Sequence, residues 1–231
     1  MPLTVDELAR MVDLSAVRTD VPAAEVRQLA ALARQYKCVC AFAMPCYTRE
    51  LAALLADAPQ VHIGGTVGFP SGASTPAIKV AEARQQLADG ADELDMVMNV
   101  GLLLSQRYDG VVADIRAVVD AAGAVPVKVI IETHYLSDDQ ILRSAELCLK
   151  AGAAFVKTST GWVPTGATPH NISLIKSVVG EEALVKAAGG IRDLAGLVEL
   201  YRSGARRFGI SLASGTKILS EAAAIPGGVE M

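Results

Sequence analysis

The sequence predicts an α/β fold: a single-domain (β/α)8 barrel of the TIM type, spanning residues 1–231, with a short N-terminal helix. Three observations lead there. Eight short runs rich in Val, Ile or Phe alternate with helical stretches from end to end. Parallel strands need crossover connections, which helices supply. No linker-like shift in composition divides the chain. The competing arrangement, an open doubly wound sheet, often carries a Gly-rich turn after its first strand. Here the first strand is followed by Arg18-Thr19-Asp20-Val21-Pro22, which holds no glycine.

Residues 1–10 are expected to form a short helix covering the bottom of the barrel. The first strand is then 11–17, and in 22–36 the residues Val26, Leu29, Ala30 and Ala33 recur at helical spacing. The second and third strands are 38–43 and 61–69. The helix at 75–89 opens on Ser74-Thr75-Pro76, a cap followed by a proline tolerated in a first turn. Strands at 93–99, 127–133, 154–160 and 184–190 alternate with helices at 103–121, 138–150, 169–179 and 193–203, and 206–211 is the last strand. Gly90, Gly152 and Gly204 fit helix stops.

Composition narrows the function. The formal net charge is −4 and no basic tract is present, which argues against nucleic acid or anionic membrane as a partner. Aromatic residues are 4% of the chain, too few for base-stacking surfaces. No apolar run approaches the ~20 residues of a membrane span, and the N-terminus lacks a signal-peptide pattern. Cys38, Cys40, Cys46 and Cys148 follow no metal-ligand spacing and are expected to be reduced, mostly buried thiols in a cytoplasmic protein.

In a barrel the chemistry lies where strands end. The polar residues there are Asp13 and Ser15, Asp95 and Asn99, Lys128, Glu132 and Thr133, Lys157 to Thr160, Lys186 and Ser211. Alternation puts Asp95, Val97 and Asn99 on one face of their strand. A carboxylate facing inward needs a cation, and Lys128, Lys157 and Lys186 are available. One such lysine is compatible with a plain ion pair. Three of them with two carboxylates, all at strand ends, point to chemistry.

An amine attacks a carbonyl only when unprotonated, and a free lysine of pKa ~10.4 is almost wholly protonated at neutral pH. Partial burial and a second cation depress that value. Lys157 is thus a candidate Schiff-base nucleophile, Lys186 its perturbing charge, and Asp95 with Lys186 a proton-transfer pair. Gly189-Gly190, followed by Ile191-Arg192, ends the seventh strand where barrels frequently hold a phosphate, and Gly209 and Ser211 end the eighth. Asp13, Ser15, Thr160 and Gly161 are further candidate substrate contacts, with Lys128 and Glu132 in support.

The segments "GADELDMVMNVG", "VKVIIET", "FVKTSTGW", "VKAAGGIR" and "RFGIS", with "VGFPSGAST" and "MVDLSAV", resemble the deoxyribose-phosphate aldolases over nearly the whole chain. "KTSTG" and "ELDMV" are the specific part of the match. The resemblance implies a (β/α)8 barrel, with Lys157 as the imine-forming lysine, Lys186 as the lysine that lowers its pKa and Asp95 as the proton-transfer partner. It implies reversible cleavage of 2-deoxy-D-ribose 5-phosphate to acetaldehyde and glyceraldehyde 3-phosphate. The expected partners are therefore a small sugar phosphate and an aldehyde, with no metal or organic cofactor. A homodimer is among the assemblies the sequence allows. The chain departs from many relatives at Asp13-Leu14-Ser15, at Phe42-Ala43-Met44-Pro45 and at Ser211-Leu212. It has Trp162 where some relatives have a lysine, and its C-terminal "AAAIPGGVEM" lacks the tyrosine some carry. Trp162 and Leu212 motivate a second reading, the same lysine chemistry on a different, unphosphorylated aldehyde. A third is a sugar-phosphate binding protein without turnover.

Overall fold

A computed structural model describes residues 2–231. Eight parallel strands close into a barrel in sequence order: β1 (Val12–Ala16), β2 (Cys40–Ala43), β3 (His62–Val67), β4 (Glu93–Val97), β5 (Val127–Ile130), β6 (Phe155–Lys157), β7 (Leu184–Ala188) and β8 (Arg207–Ser211). β8 pairs with β1 to complete the ring. The helices are α1 (Val5–Ala9), α2 (Ala23–Tyr36), α3 (Thr48–Leu54), α4 (Pro76–Ala88), α5 (Val100–Leu104), α6 (Tyr108–Ala122), α7 (Asp138–Ala151), α8 (Pro169–Val179), α9 (Leu194–Arg202) and α10 (Leu212–Ala223).

All eight strands occur where alternation places them, but several stop short of their expected C-terminal ends. β5 stops at Ile130 and β6 at Lys157. Glu132 takes φ 55° and Gly189 φ 84°, left-handed values that cannot continue a strand. The residues released from pairing turn over the top of the barrel instead. The single helix expected over 103–121 is two: α5 and α6 are separated at Gln106, whose φ is 56°. Asn99, expected to share a strand face with Asp95, caps α5 by accepting a hydrogen bond from the Leu102 N–H at 3.1 Å. α3 and α10 are not among the expected helices, although Gly215, Ile218, Leu219 and Ala222 of α10 recur at helical spacing.

α1 begins at a capping box: Thr4 Oγ1 accepts from the Glu7 N–H, and Glu7 Oε2 accepts from the Thr4 N–H. Just after it, Arg10 donates to the carbonyls of Lys37, Cys38 and Gln60, at the N-terminal approaches to β2 and β3. The helix therefore lies at the bottom of the barrel, as expected.

Alternate strand residues divide the interior. Leu14, Leu94, Met96, Val129, Val156, Val185 and Phe208 join the buried helix faces in one apolar core. The opposite faces carry Asp13, Phe42, Glu93, Asp95, Lys128, Phe155, Lys157, Lys186 and Arg207 into the barrel. Outside the barrel a separate pair, Lys79 and Asp114, is also fully buried, with Lys79 Nζ 2.6 Å from Asp114 Oδ2. Burial lowers the Lys79 pKa and raises that of Asp114, against their mutual attraction. Among the described residues no helix is long and apolar enough to cross a membrane.

Candidate active site

Strand register sets the site. Asp95 pairs in register with Lys128, Lys157 with Lys186, and Lys186 with Arg207, so these side chains all enter the barrel from neighbouring strands. Asp95 is 1% exposed and holds all three lysines. Lys128 Nζ lies 3.1 Å from its Oδ1, while Lys157 Nζ and Lys186 Nζ lie 2.7 and 2.6 Å from its Oδ2. Below this level Lys186 reaches Asp13 at 2.6 Å and Lys128 reaches Glu93 at 2.5 Å. Arg207 joins Asp13 at 2.8 Å and Glu93 at 3.2 Å.

Leaving aside His62, whose Nδ1 lies 2.9 Å from Glu93 Oε1, three carboxylates face three lysines and one arginine in the barrel. Their charges balance when one basic group gives up its proton. Lys157 is at the open end, its side chain 10% exposed against 1% for Lys186 and none for Lys128. Its pKa falls to about 8. Burial is the largest cause; the Lys186 charge adds to it, and Asp95 opposes both. The sequence reading gave Lys186 the leading part. Desolvation leads because an ammonium taken from water loses its full hydration, whereas Lys186 is itself neutralised by two carboxylates. Asp95 and Asp13 move the other way. Their carboxylates are buried, yet the lysines hold Asp95 well below the usual range, and Lys186, Lys128 and Arg207 bring Asp13 to about 2. Lys128 is raised by Asp95 and Asp13 despite its burial.

Above Asp95 a cavity of about 230 Å³ opens at the C-terminal ends of the strands. Asp13, Ser15, Asp95, Lys157, Thr160, Gly161, Lys186, Gly189, Gly190, Arg192, Gly209 and Ser211, the residues expected from the sequence, all line it. Several have prior engagements. Asp13 is 1% exposed with its carboxylate taken by Lys186 and Arg207, so it acts on the lysines from below. Ser15 Oγ donates to the Ile210 carbonyl at 3.1 Å. Lys128 and Glu132 lie behind the lining. Glu132 accepts from the Thr160 N–H at 3.2 Å and from Thr160 Oγ1 at 2.5 Å, which fixes the turn after Lys157.

Gly189 and Gly190 have φ of 84° and 81°. Neither N–H has an acceptor among the described residues. Two adjacent N–H groups without acceptors at the end of a strand can line an anion-binding concavity. α10 starts beside it: Ser211 caps the helix by accepting from the Ser214 N–H, and both serines line the cavity. Arg192 is exposed and has no carboxylate partner among the described residues, whereas Arg18 is held by Glu25 at 2.8 Å and Asp20 at 3.0 Å.

Several residues of the site were not read from the sequence. Glu93 and Arg207 alternate with Asp95 and Gly209 and so share their inward faces, a signal that was present. Thr66, in register with Asp95, brings a buried hydroxyl to the cavity with no partner among the described residues. Phe42 and Phe69 complete the wall. Trp162 Nε1 donates to the Val17 carbonyl at 2.9 Å, and its ring meets Phe69 edge-on at 6.0 Å between centroids. Asp13, Cys40 and Glu93 have potential metal ligand atoms within 4.8 Å of one another. Both carboxylates are already paired with Lys128, Lys186 and Arg207, so a metal ion there would meet cations at close range.

Residues 8–220 match the family model of the DeoC/LacD family aldolases. With the closed barrel and its ring of lysines, this makes the protein an aldolase, a carbon–carbon lyase. A deoxyribose-phosphate aldolase of Klebsiella pneumoniae is 49% identical over 94% of this chain and 88% of its own. A crystal structure from Coccidioides immitis superposes with a TM-score of 0.91 at 36% identity, covering 96% and 87% of the two chains. The tetrameric deoxyribose phosphate aldolase of Aeropyrum pernix superposes with a TM-score of 0.87 at 29% identity, covering 96% and 93%. The chain belongs to the deoxyribose-phosphate aldolase family.

Proposed function

We propose that the protein reversibly cleaves 2-deoxy-D-ribose 5-phosphate to acetaldehyde and glyceraldehyde 3-phosphate through an imine on Lys157, in the cytoplasm. The observation that carries this reading is the charge balance around Asp95, which is met when Lys157 is a neutral amine at the open end of the network. That amine adds to the C1 carbonyl of the sugar, and loss of water leaves an iminium. The C3 hydroxyl then gives up its proton, the C2–C3 bond breaks, and its electron pair moves to the iminium to form an enamine. Glyceraldehyde 3-phosphate leaves. Protonation at C2 and hydrolysis release acetaldehyde and restore the amine. Asp95 and Lys186, 2.6 Å apart, are the pair that holds and returns these protons. The Thr66 hydroxyl is free for a substrate oxygen, and Gly189, Gly190, Arg192 and the first turn of α10 form the phosphate end.

A second reading keeps the lysine chemistry on an unphosphorylated aldehyde. The Trp162–Phe69 pair favours it, because it gives one wall of the cavity an apolar surface. Borohydride reduction in the presence of acetaldehyde tests the imine. The expected adduct is on Lys157 and is lost, with cleavage, in Lys157→Ala. Adduct on Lys186 overturns the assignment, and no adduct at all leaves a binding protein without turnover. Cleavage rates on deoxyribose with and without phosphate separate the two substrates.

A further inference from the structure

The barrel interior holds an aromatic ring among its charges. Phe42 of β2 is 3% exposed and sits apart from the main core in a small cluster with Val39 and Cys40. It faces Gly64 of β3 in register. A Cβ on Gly64 would lie 2.2 Å from the ring, so glycine is what admits the ring at this position.

The ring meets two ammonium groups. Each ammonium has three N–H donors. Lys186 has Asp13 and Asp95 at 2.6 Å each, and its Nζ lies 4.3 Å from the Phe42 centroid. Lys128 has Glu93 at 2.5 Å, Asp95 at 3.1 Å and Asp13 at 3.8 Å, with the Phe42 centroid at 4.9 Å and that of Phe155 at 5.7 Å. The other charged groups around them are Lys157 of β6 and Arg207 of β8. An aliphatic side chain would fill the same volume but offer no acceptor, leaving a buried donor unpaired or open to water.

We propose that Phe42 is a positioning residue for the aldol chemistry: its ring is the third, water-free partner of Lys186, adds to the carboxylates around Lys128, and keeps both ammonium groups on Asp95. The proposal rests on the imine reading for its effect on turnover. The ring's negative face supplies the attraction, so what matters is its electron distribution as well as its shape.

Site-specific replacement of Phe42 by phenylalanines of increasing fluorine content separates the two, since fluorine drains the face and largely preserves the shape. Turnover of deoxyribose 5-phosphate is expected to fall stepwise along the series, by about 3- to 30-fold in all, with KM within about twofold. The final extent of borohydride trapping on Lys157, measured above its pKa, stays unchanged, because slower proton transfer delays the imine without removing the amine that forms it. Exchange of the Lys186 ammonium protons, followed in ¹⁵N-lysine spectra, speeds up along the same series whether or not the sugar is cleaved. Turnover and exchange that ignore fluorine overturn the proposal even if Phe42→Leu is impaired, since the ring would then act by packing alone. Absence of any trapped adduct in the unsubstituted protein refutes the imine reading, and the exchange series still decides the role of the ring.

Discussion

Replacing Lys186 by Met removes the charge and leaves an unbranched side chain one atom shorter. The Lys157 and Lys186 nitrogens lie 2.7 and 2.6 Å from the same oxygen of Asp95. They are therefore within about 5 Å of each other, and at an effective dielectric of about 20 two unit charges so placed repel by about 3 kcal/mol, or about 2 pKa units. Lys157 starts at about 8, lowered first by burial and then by Lys186. Without Lys186 three carboxylates face three basic groups, and balance favours a charged Lys157. Its pKa is expected near about 10. An amine reacts only above its pKa, so the acidic limb of kcat/KM moves upward by about 2 pH units, and activity near neutrality falls by about two orders of magnitude from this shift alone. The loss of Lys186 from proton transfer lowers the plateau at every pH. The assay is a coupled reduction of the released aldehyde between about pH 6 and about pH 11, with circular dichroism to verify the fold. A folded variant whose acidic limb stays near pH 8 would refute the reasoning, leaving burial as the sole source of the depressed pKa.

Arg192→Ala is expected to lower kcat/KM for the phosphorylated sugar by about 10- to 100-fold, one charge-assisted hydrogen bond, while the rate on deoxyribose hardly moves; equal losses on both would argue that Arg192 acts on the loop. Thr66→Val should lower kcat/KM by about 3- to 10-fold and leave the protein as stable or more so in urea, because the hydroxyl it removes has no partner in the fold. A loss of stability would show that the hydroxyl is satisfied inside the protein. Lys79→Met leaves Asp114 buried without its cation and should cost about 3–5 kcal/mol by urea unfolding, most of it recovered when Asp114→Leu is added. A double variant as unstable as the single one would contradict that account.

How far the site can be read from the chain depends on which residues alternate visibly. Lysines ending apolar runs, as in Phe155-Val156-Lys157 and Val185-Lys186, stand out because lysine is seldom buried without a partner or a task. The same alternation carries Glu93 beside Asp95, yet Glu93 draws little notice: it opens its strand, where an exposed carboxylate is ordinary. Arg207 is hidden in the same way at the start of β8, within Arg206-Arg207, a pair that reads as surface. Lys79 gives no signal, since a lysine on an amphipathic helix is usually solvated; only the close approach of α4 and α6 buries it with Asp114. The break at Gln106 was likewise hidden, because helical spacing runs across it and a left-handed φ at glutamine leaves no mark in composition.

Local pattern by itself determined the barrel, the order of its strands and the residues at their mouths. The period of two fixes which side chains enter, and each strand–helix unit closes over short range. The tertiary structure decided the rest: that one carboxylate oxygen would hold two lysines, that four basic groups would face three carboxylates, and that a phenylalanine would stand over Lys186 because the next strand offers a glycine. Those outcomes depend on distances between strands far apart in sequence. Charge and burial act through space, and a pKa or a cation's third partner belongs to the closed ring of strands, not to any one of them.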